Sequence, residues 1–233
     1  MDILFNNNGT PHSLQHIKKC VAEFGESYNK TVREIIHNTA DGVNEEIFFI
    51  NVSQLMANFK MTRRGPFKDV KYSNGSMKDP DGIVASCWEN AHQYLIQIRY
   101  FLDEKNGGKR GRAPLGLTES DRKLAVSNLW LVFKKLLPSC MSESTWGLVA
   151  ASKILFAVLP EIALPIDNVQ WRKVLGTIDY SDVISDMAVE IVSWERQVGA
   201  KLDSCDPLPH TTLPAVYNVM AMKARPTNEK KPQ

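Results

Sequence analysis

The sequence predicts an all-α protein, and three observations carry that prediction. Apolar residues recur at spacings of three and four along most of the chain, which is the period of an amphipathic helix. Capping residues and prolines stand where these segments begin and end. The chain shows no internal repeat, and its 233 residues suit one helical domain over residues 1–224, followed by a disordered polar tail at 225–233.

In the first half of the chain, Ser13 suits the N-cap of a helix that continues to residue 24. Residues 45–50 are apolar and short enough for either a strand or a buried helical turn. Residues 61–82 contain three glycines and two prolines, which predicts a long connecting loop. Two further helices are predicted at 27–37 and 88–102.

In the second half, Thr118 suits the N-cap of a long helix that we expect Pro138 to end. Pro160 ends a strongly apolar helix that begins at Trp146, and Ser181 suits the N-cap of a later helix. Leu124 and Val192 are expected on the inner faces of their helices. The predicted helices are 119–137, 146–159, 168–175, one beginning at 182, and 213–223.

Composition excludes several classes of protein. The 28 basic and 26 acidic residues leave a net charge of +2, unlike a histone-like protein. The four cysteines are far apart, which favours free thiols in a reducing cytosol over a disulfide scaffold or a zinc ribbon. Neither a signal peptide nor an 18-residue apolar run is present, so we expect a cytoplasmic protein that does not contact a membrane.

Most catalytic and cofactor templates are also missing from the sequence. The five histidines do not form an H-E-x-x-H motif, and no carboxylate has metal-ligand spacing beside His12 and His16. Gly107-Gly108-Lys109 is not preceded by a strand and lacks the Ser or Thr of a phosphate loop. We therefore expect no metal and no cofactor.

Residues 136–171 form the most informative segment. A polar turn separates two helices, the second helix is strongly apolar, and the turn Pro165-Ile166-Asp167 then presents an aspartate at a helix start. With Val149-Ala150 early in the apolar helix and Trp171 four residues after the aspartate, this segment resembles the helix–hairpin–helix DNA glycosylase superfamily, most closely its 8-oxoguanine glycosylase branch. The resemblance implies two helical lobes with a boundary near 105–118, a cleft between them, a DNA substrate and a catalytic Asp167.

The chemistry of N-glycosidic cleavage gives an independent reason for a carboxylate at this position. Bond cleavage builds positive charge on the sugar, and a nearby carboxylate stabilises that charge and orients water. The base must first be flipped out of the helix stack. Asp is also a favoured N-cap, so Asp167 can instead be a cap for the helix that follows it.

The segment departs from the family pattern at two places. The glycine-rich hairpin of the family is replaced by residues 141–147, where we still expect donors to DNA at Ser144, Thr145, Trp146 and Gly147. Leu148 occupies the position of the nucleophilic lysine of bifunctional members, so no Schiff base is expected there. Lys153 lies one turn later and is expected to be solvated. Ser152 and Phe156, four residues apart, are the predicted base pocket.

Basic segments supply the remaining evidence for a nucleic-acid partner. Residues 105–112 carry four cations and no acid, separated by glycines, and this composition suits phosphate contacts. The predicted DNA contacts are Lys105, Lys109, Arg110 and Arg112.

The sequence thus predicts a monofunctional DNA glycosylase that acts, as a monomer, on a damaged or modified base. Defence against phage DNA with modified bases is one role for such an enzyme. A non-catalytic helical nucleic-acid-binding or regulatory protein is the alternative, and a nuclease is disfavoured because no Asp-(x)n-Glu-x-Lys core is evident.

Overall fold

The computed structural model describes residues 2–63, 65–106, 110–140, 146–206 and 211–225, and within these ranges the protein is mostly helical. The all-α prediction is confirmed at this level. The helices are α1 (Leu14–Glu23), α2 (Glu26–Asn38), α3 (Glu45–Asn58), α4 (Ile83–Asn106), α5 (Ala113–Gly116), α6 (Glu119–Cys140), α7 (Trp146–Val158), α8 (Asn168–Lys173), α9 (Tyr180–Val198) and α10 (Leu213–Lys223). Short 3-10 helices occupy Met61–Arg63, Arg110–Arg112 and Leu202–Cys205.

The predicted loop at 61–82 contains regular structure, which corrects that prediction. Strands β1 (Lys71–Ser73) and β2 (Ser76–Lys78) pair antiparallel, with Tyr72 opposite Met77. Asn74 and Gly75 connect them with φ angles of 53° and 72°. Two consecutive positive φ angles are what a type I′ hairpin turn requires, and Asn-Gly is the favoured pair for it. The dipeptide Asn74-Gly75 therefore indicates a β-hairpin, although the glycines and prolines of residues 61–82 suggest a loop.

Local capping chemistry sets most helix boundaries. The predicted caps of α1 and α6 are confirmed, since the hydroxyls of Ser13 and Thr118 accept hydrogen bonds from backbone N–H groups three residues later. The N-cap of α9 is Asp179, not Ser181, because its carboxylate accepts from the Ser181 and Asp182 N–H groups. The ambiguous segment at 45–50 is the start of α3, whose N-cap is Asn44.

Two predictions about α6 and α9 are corrected. Helix α6 continues past Pro138 to Cys140, so that proline does not end it. Leu124 and Val192, expected on inner faces, are 51% and 38% exposed. Each lies on the outer edge of its helix, where an apolar residue in the helical period does not guarantee burial.

The core is one contiguous set of buried apolar side chains that runs from Ile3 to Ala221. Helix α6 packs between α4 and α7, while α7 also packs on α3. Beyond Gly147, α7 exposes almost nothing, so it forms the centre of the fold. Among the described residues, no helix is both long and apolar enough to cross a membrane. Arg225, the first residue of the predicted tail at 225–233, is described and donates a hydrogen bond to Asp167, so the tail prediction is wrong at that residue. Residues 226–233 lie outside the described residues, as do 1, 64, 107–109, 141–145 and 207–210.

Candidate active site

The connection between α7 and α8 is buried and held by side-chain hydrogen bonds. The Tyr180 hydroxyl accepts from the Leu164 N–H at 2.8 Å and donates to the Leu164 carbonyl at 3.1 Å. The Ser152 hydroxyl accepts from the Ile166 N–H at 3.0 Å and donates to the Val149 carbonyl at 2.9 Å. Both contacts fix the backbone that immediately precedes Asp167.

Asp167 is the N-cap of α8, which confirms the capping role considered from the sequence. Its Oδ1 accepts from the Gln170 N–H at 2.8 Å, and the Gln170 Oε1 accepts from the Asp167 N–H at 2.7 Å. This reciprocal pair is a capping box. The second oxygen, Oδ2, accepts from Arg225 Nη1 at 2.6 Å. The Asp167 side chain is 16% exposed, so it does not face open solvent, and its two oxygens have separate partners.

A chain of hydrogen bonds continues inward from the capping box. Gln170 Nε2 donates to Asn218 Oδ1 at 3.1 Å, and Asn218 Nδ2 donates to the Tyr28 hydroxyl oxygen. All three side chains are buried. Burial raises the pKa of Tyr28, which keeps its hydroxyl protonated. The chain fixes the rotamer of Gln170 and therefore the position of Asp167.

Lys153 is buried in the same region, which corrects the prediction of a solvated lysine. Its side chain is 2% exposed, and Nζ lies 3.9 Å from the centroid of the Phe59 ring and 3.4 Å from the Met61 sulfur. Burial lowers the pKa of Lys153 to about 7, with a smaller opposing effect from the Asp167 charge. A substantial fraction of this amine is therefore neutral near pH 7.

The lowered pKa of Lys153 predicts a pH dependence of stability. The group takes up a proton near pH 10.5 when unfolded but only near pH 7 when folded. Between these values the unfolded chain binds more protons, so the free energy of unfolding rises with pH, by at most about 1.4 kcal/mol per pH unit. Urea denaturation of the wild type and of Lys153→Met across this range should show a slope difference. Parallel pH profiles would contradict the burial of a titrating amine.

Ser152 and Phe156, the predicted base pocket, are both fully buried. Ser152 has the backbone partners described above, and Phe156 packs in the core, so in this structure neither side chain faces an open cavity. Their placement gives Ser152 a positioning role toward Asp167.

Removal of the Ser152 hydroxyl should destabilise the fold. Ser152→Ala leaves the buried Ile166 N–H without its acceptor, which costs about 1–3 kcal/mol in the free energy of unfolding. Urea denaturation measures this change, and Ser76→Ala on the exposed β2 strand provides the matched control. Equal stability of the two variants would show that the hydroxyl does not hold this backbone.

Two of the four predicted basic contacts are committed to internal ion pairs. Arg110 Nε donates to the fully buried Glu161 at 3.0 Å, and Glu161 also pairs with Arg99. Arg112 Nη2 donates to both carboxylate oxygens of Glu195, at 2.9 and 2.8 Å, and Nη1 pairs with Asp203. These ion pairs hold the 3-10 helix Arg110–Arg112 against neighbouring parts of the fold. As placed, the two arginines do not present free charge to a phosphate backbone.

The remaining predicted DNA contacts lie in different parts of the chain. Lys105 is exposed near the end of α4, with Nζ 3.8 Å from the Glu104 carboxylate. Gly147 is buried in the first turn of α7, which begins at Trp146. Lys109, Ser144 and Thr145 lie outside the described residues.

The sequence reasoning missed Gln170, Asn218 and Arg225. The spacing Asp167-x-x-Gln170 is a capping-box signature, so it could have identified the glutamine. Asn218 and Arg225 lie far from Asp167 in the sequence, and no local signal connects them. The region around Asp167, with Gln170, Asn218, Tyr28, Lys153 and Arg225, is called the Asp167 site below.

Comparisons with known proteins add no relative. No family model, curated protein or solved structure matches this chain. The case for function therefore depends on the geometry of the Asp167 site and on the resemblance of residues 136–171.

Proposed function

We propose that the protein is a monofunctional DNA glycosylase, which hydrolyses the N-glycosidic bond of a damaged or modified base and leaves an abasic site. One observation supports this most strongly. Asp167 ends a buried and hydrogen-bonded connection, where Oδ1 is fixed by the capping box and Oδ2 has only the half-exposed Arg225 among its hydrogen-bond partners in the described ranges. The oxygen proposed to act in the reaction, Oδ2, is thus different from Oδ1, which caps α8.

In the proposed reaction, Oδ2 faces the sugar of a flipped nucleotide. Positive charge develops on the sugar as the base leaves, and a preorganised carboxylate stabilises that charge without having to reorient. The same carboxylate orients the water that attacks C1′. Arg225 must first leave Oδ2, and a DNA phosphate is a suitable acceptor for its guanidinium.

DNA is the proposed partner. The predicted contacts Arg110 and Arg112 are omitted from the proposal, because both are held in internal ion pairs. Helices α6 and α7 flank residues 141–145 and would form the helix–hairpin–helix motif, with Ser144, Thr145 and Trp146 at the phosphate. Lys105 and Lys109 are the remaining proposed basic contacts. A division into two lobes, with the substrate cleft between them, belongs to this proposal. Phage DNA with modified bases is one proposed target.

A second activity is tested separately, because Lys153 is buried, its pKa is lowered and the Asp167 charge acts on it. A neutral amine can attack C1′ of the sugar, displace the base and form an imine, which then leads to strand cleavage. This would make the protein a lyase. In the non-catalytic alternative, Asp167 is only a cap and the protein binds nucleic acid without changing it.

The proposed activity is tested with duplexes that each carry one oxidised, alkylated, deaminated or hydroxymethylated base. The enzyme is incubated with each duplex, and the strands are analysed before and after hot alkali. Strand breaks that appear only after alkali, on at least one duplex, support hydrolysis. Breaks before alkali favour the lyase, whereas binding without any breaks favours the non-catalytic alternative.

A further inference from the structure

A cavity of about 740 Å³ lies between α2 and α10, and Asp167 is not among the described residues that line it. Its volume is within the range that holds drug-sized ligands. The cavity is called the α2–α10 cavity below. Its described walls come from α1, α2, the 3-10 helix Arg110–Arg112 and α10, together with Asp203, Asp206, Thr211 and Thr212.

The inner walls of the α2–α10 cavity are aliphatic. The residues that supply them are Val21, Val32, Ile36, Ala215, Val216 and Val219. Among the described lining residues, Tyr28 is the one Phe, Tyr or Trp, and it is 8% exposed. Aliphatic walls favour a hydrocarbon body over a stacked planar ring, because stacking needs an open aromatic face.

One wall of the cavity is formed by close packing of the 3-10 helix Arg110–Arg112 on its neighbours. Gly111 lies against the backbone of Thr211, and a Cβ atom there would be 2.4 Å from the Thr211 carbonyl oxygen. The close approach is possible only for glycine. The ion pairs of Arg110 and Arg112 hold this wall in place.

Charge is unevenly distributed around the opening. Arg110 and Arg112 are neutralised by Glu161, Glu195 and Asp203, as described above. Arg33 and His37 are exposed, lie one turn apart on α2, and have no carboxylate within ion-pair distance among the described residues. Asp206 stands on a different wall. An anionic group is therefore favoured at the α2 side of the opening.

We propose that the α2–α10 cavity binds an amphipathic carboxylate, with its hydrocarbon chain against the valine-rich walls and its head group at Arg33 and His37. A carboxylate accepts two hydrogen bonds from one guanidinium in a bidentate pair, and His37 supplies a further ring N–H. The proposal does not depend on glycosylase activity. It concerns a second site of the same chain, which shares only Tyr28 with the described residues of the Asp167 site.

Calorimetric titration with decanoate, kept below its micelle concentration, tests the proposal. One saturable site is expected, and octanoate should bind more weakly by about fourfold for each methylene removed. The uncharged analogue 1-decanol should bind at least about tenfold more weakly than decanoate, because the charge-assisted hydrogen bonds are lost. Equal affinity for decanoate and decanol would overturn the proposal, as would binding of adenosine monophosphate without binding of decanoate.

Variants on α2 locate the head group. Arg33→Gln should weaken decanoate binding by about tenfold or more. Lys30→Gln is the matched control, because Lys30 is an exposed cation of the same helix that does not line the cavity. Equal losses in Arg33→Gln and Lys30→Gln would show nonspecific charge attraction and contradict the site. Arg33 and Lys30 are both exposed, so these variants should fold normally.

Discussion

Asp167→Asn should lower base release by about 100-fold or more while the protein stays folded. The asparagine Oδ1 can still accept from the Gln170 N–H, so the cap of α8 is retained. What is lost is the negative charge that would stabilise the cationic sugar. The measurement is single-turnover base release from the substrate duplex, with urea denaturation to confirm the fold.

Asp179→Asn is the matched control for this variant. Asp179 is also an N-cap aspartate, at the start of α9, and its carboxylate accepts from the following backbone N–H groups. The control should release base at the wild-type rate. Wild-type turnover by Asp167→Asn would remove Asp167 from the mechanism, and equal losses in both variants would indicate a structural cause.

No covalent protein–DNA adduct should form when the enzyme acts on its substrate in the presence of borohydride. Leu148 supplies no amine at the start of α7, and the Lys153 amine is enclosed by Phe59 and Met61. Borohydride reduces an imine to a stable adduct, which denaturing electrophoresis detects as a shifted band.

A strong band that disappears in Lys153→Met would contradict hydrolysis and make Lys153 the nucleophile. The exposed Lys134 of α6 provides a control, since Lys134→Met should leave the result unchanged whichever mechanism operates. The pH dependence of trapping gives a second readout. If Lys153 is the nucleophile, adduct formation should rise through about pH 7 as the amine loses its proton.

The helical period and the capping residues predicted most of the fold, because these signals lie within a few residues of each other. Ser13 and Thr118 are examples, since each caps a helix through its own side chain. The β1–β2 hairpin was missed although Asn74-Gly75 is a local signal. The burial of individual side chains depends on contacts between distant parts of the chain. Lys153 is an example, because the residues that enclose it, Phe59 and Met61, are distant in the sequence.

The Asp167 site also combines a residue that a local pattern predicts with partners that are distant in the sequence. Its aspartate could be predicted from the turn and the helix start, and the structure places it at the N-cap of α8. The partners Asn218 and Arg225 come from α10 and the residues that follow it, and they leave no pattern around residue 167. The ion pairs of Arg110 and Arg112 could not be predicted for a related reason, because their partners Glu161 and Glu195 are also remote in sequence.

The most direct test of the glycosylase proposal is to measure free base and abasic sites together, in one reaction. Genomic DNA that has been oxidised, alkylated, deaminated or hydroxymethylated is incubated with the enzyme. Mass spectrometry then identifies any released base, and an aldehyde-reactive probe counts abasic sites. The proposal predicts one modified base released for each abasic site formed, with both lost in Asp167→Asn. No released base from any of these DNAs, or release that is unchanged in Asp167→Asn, would contradict it.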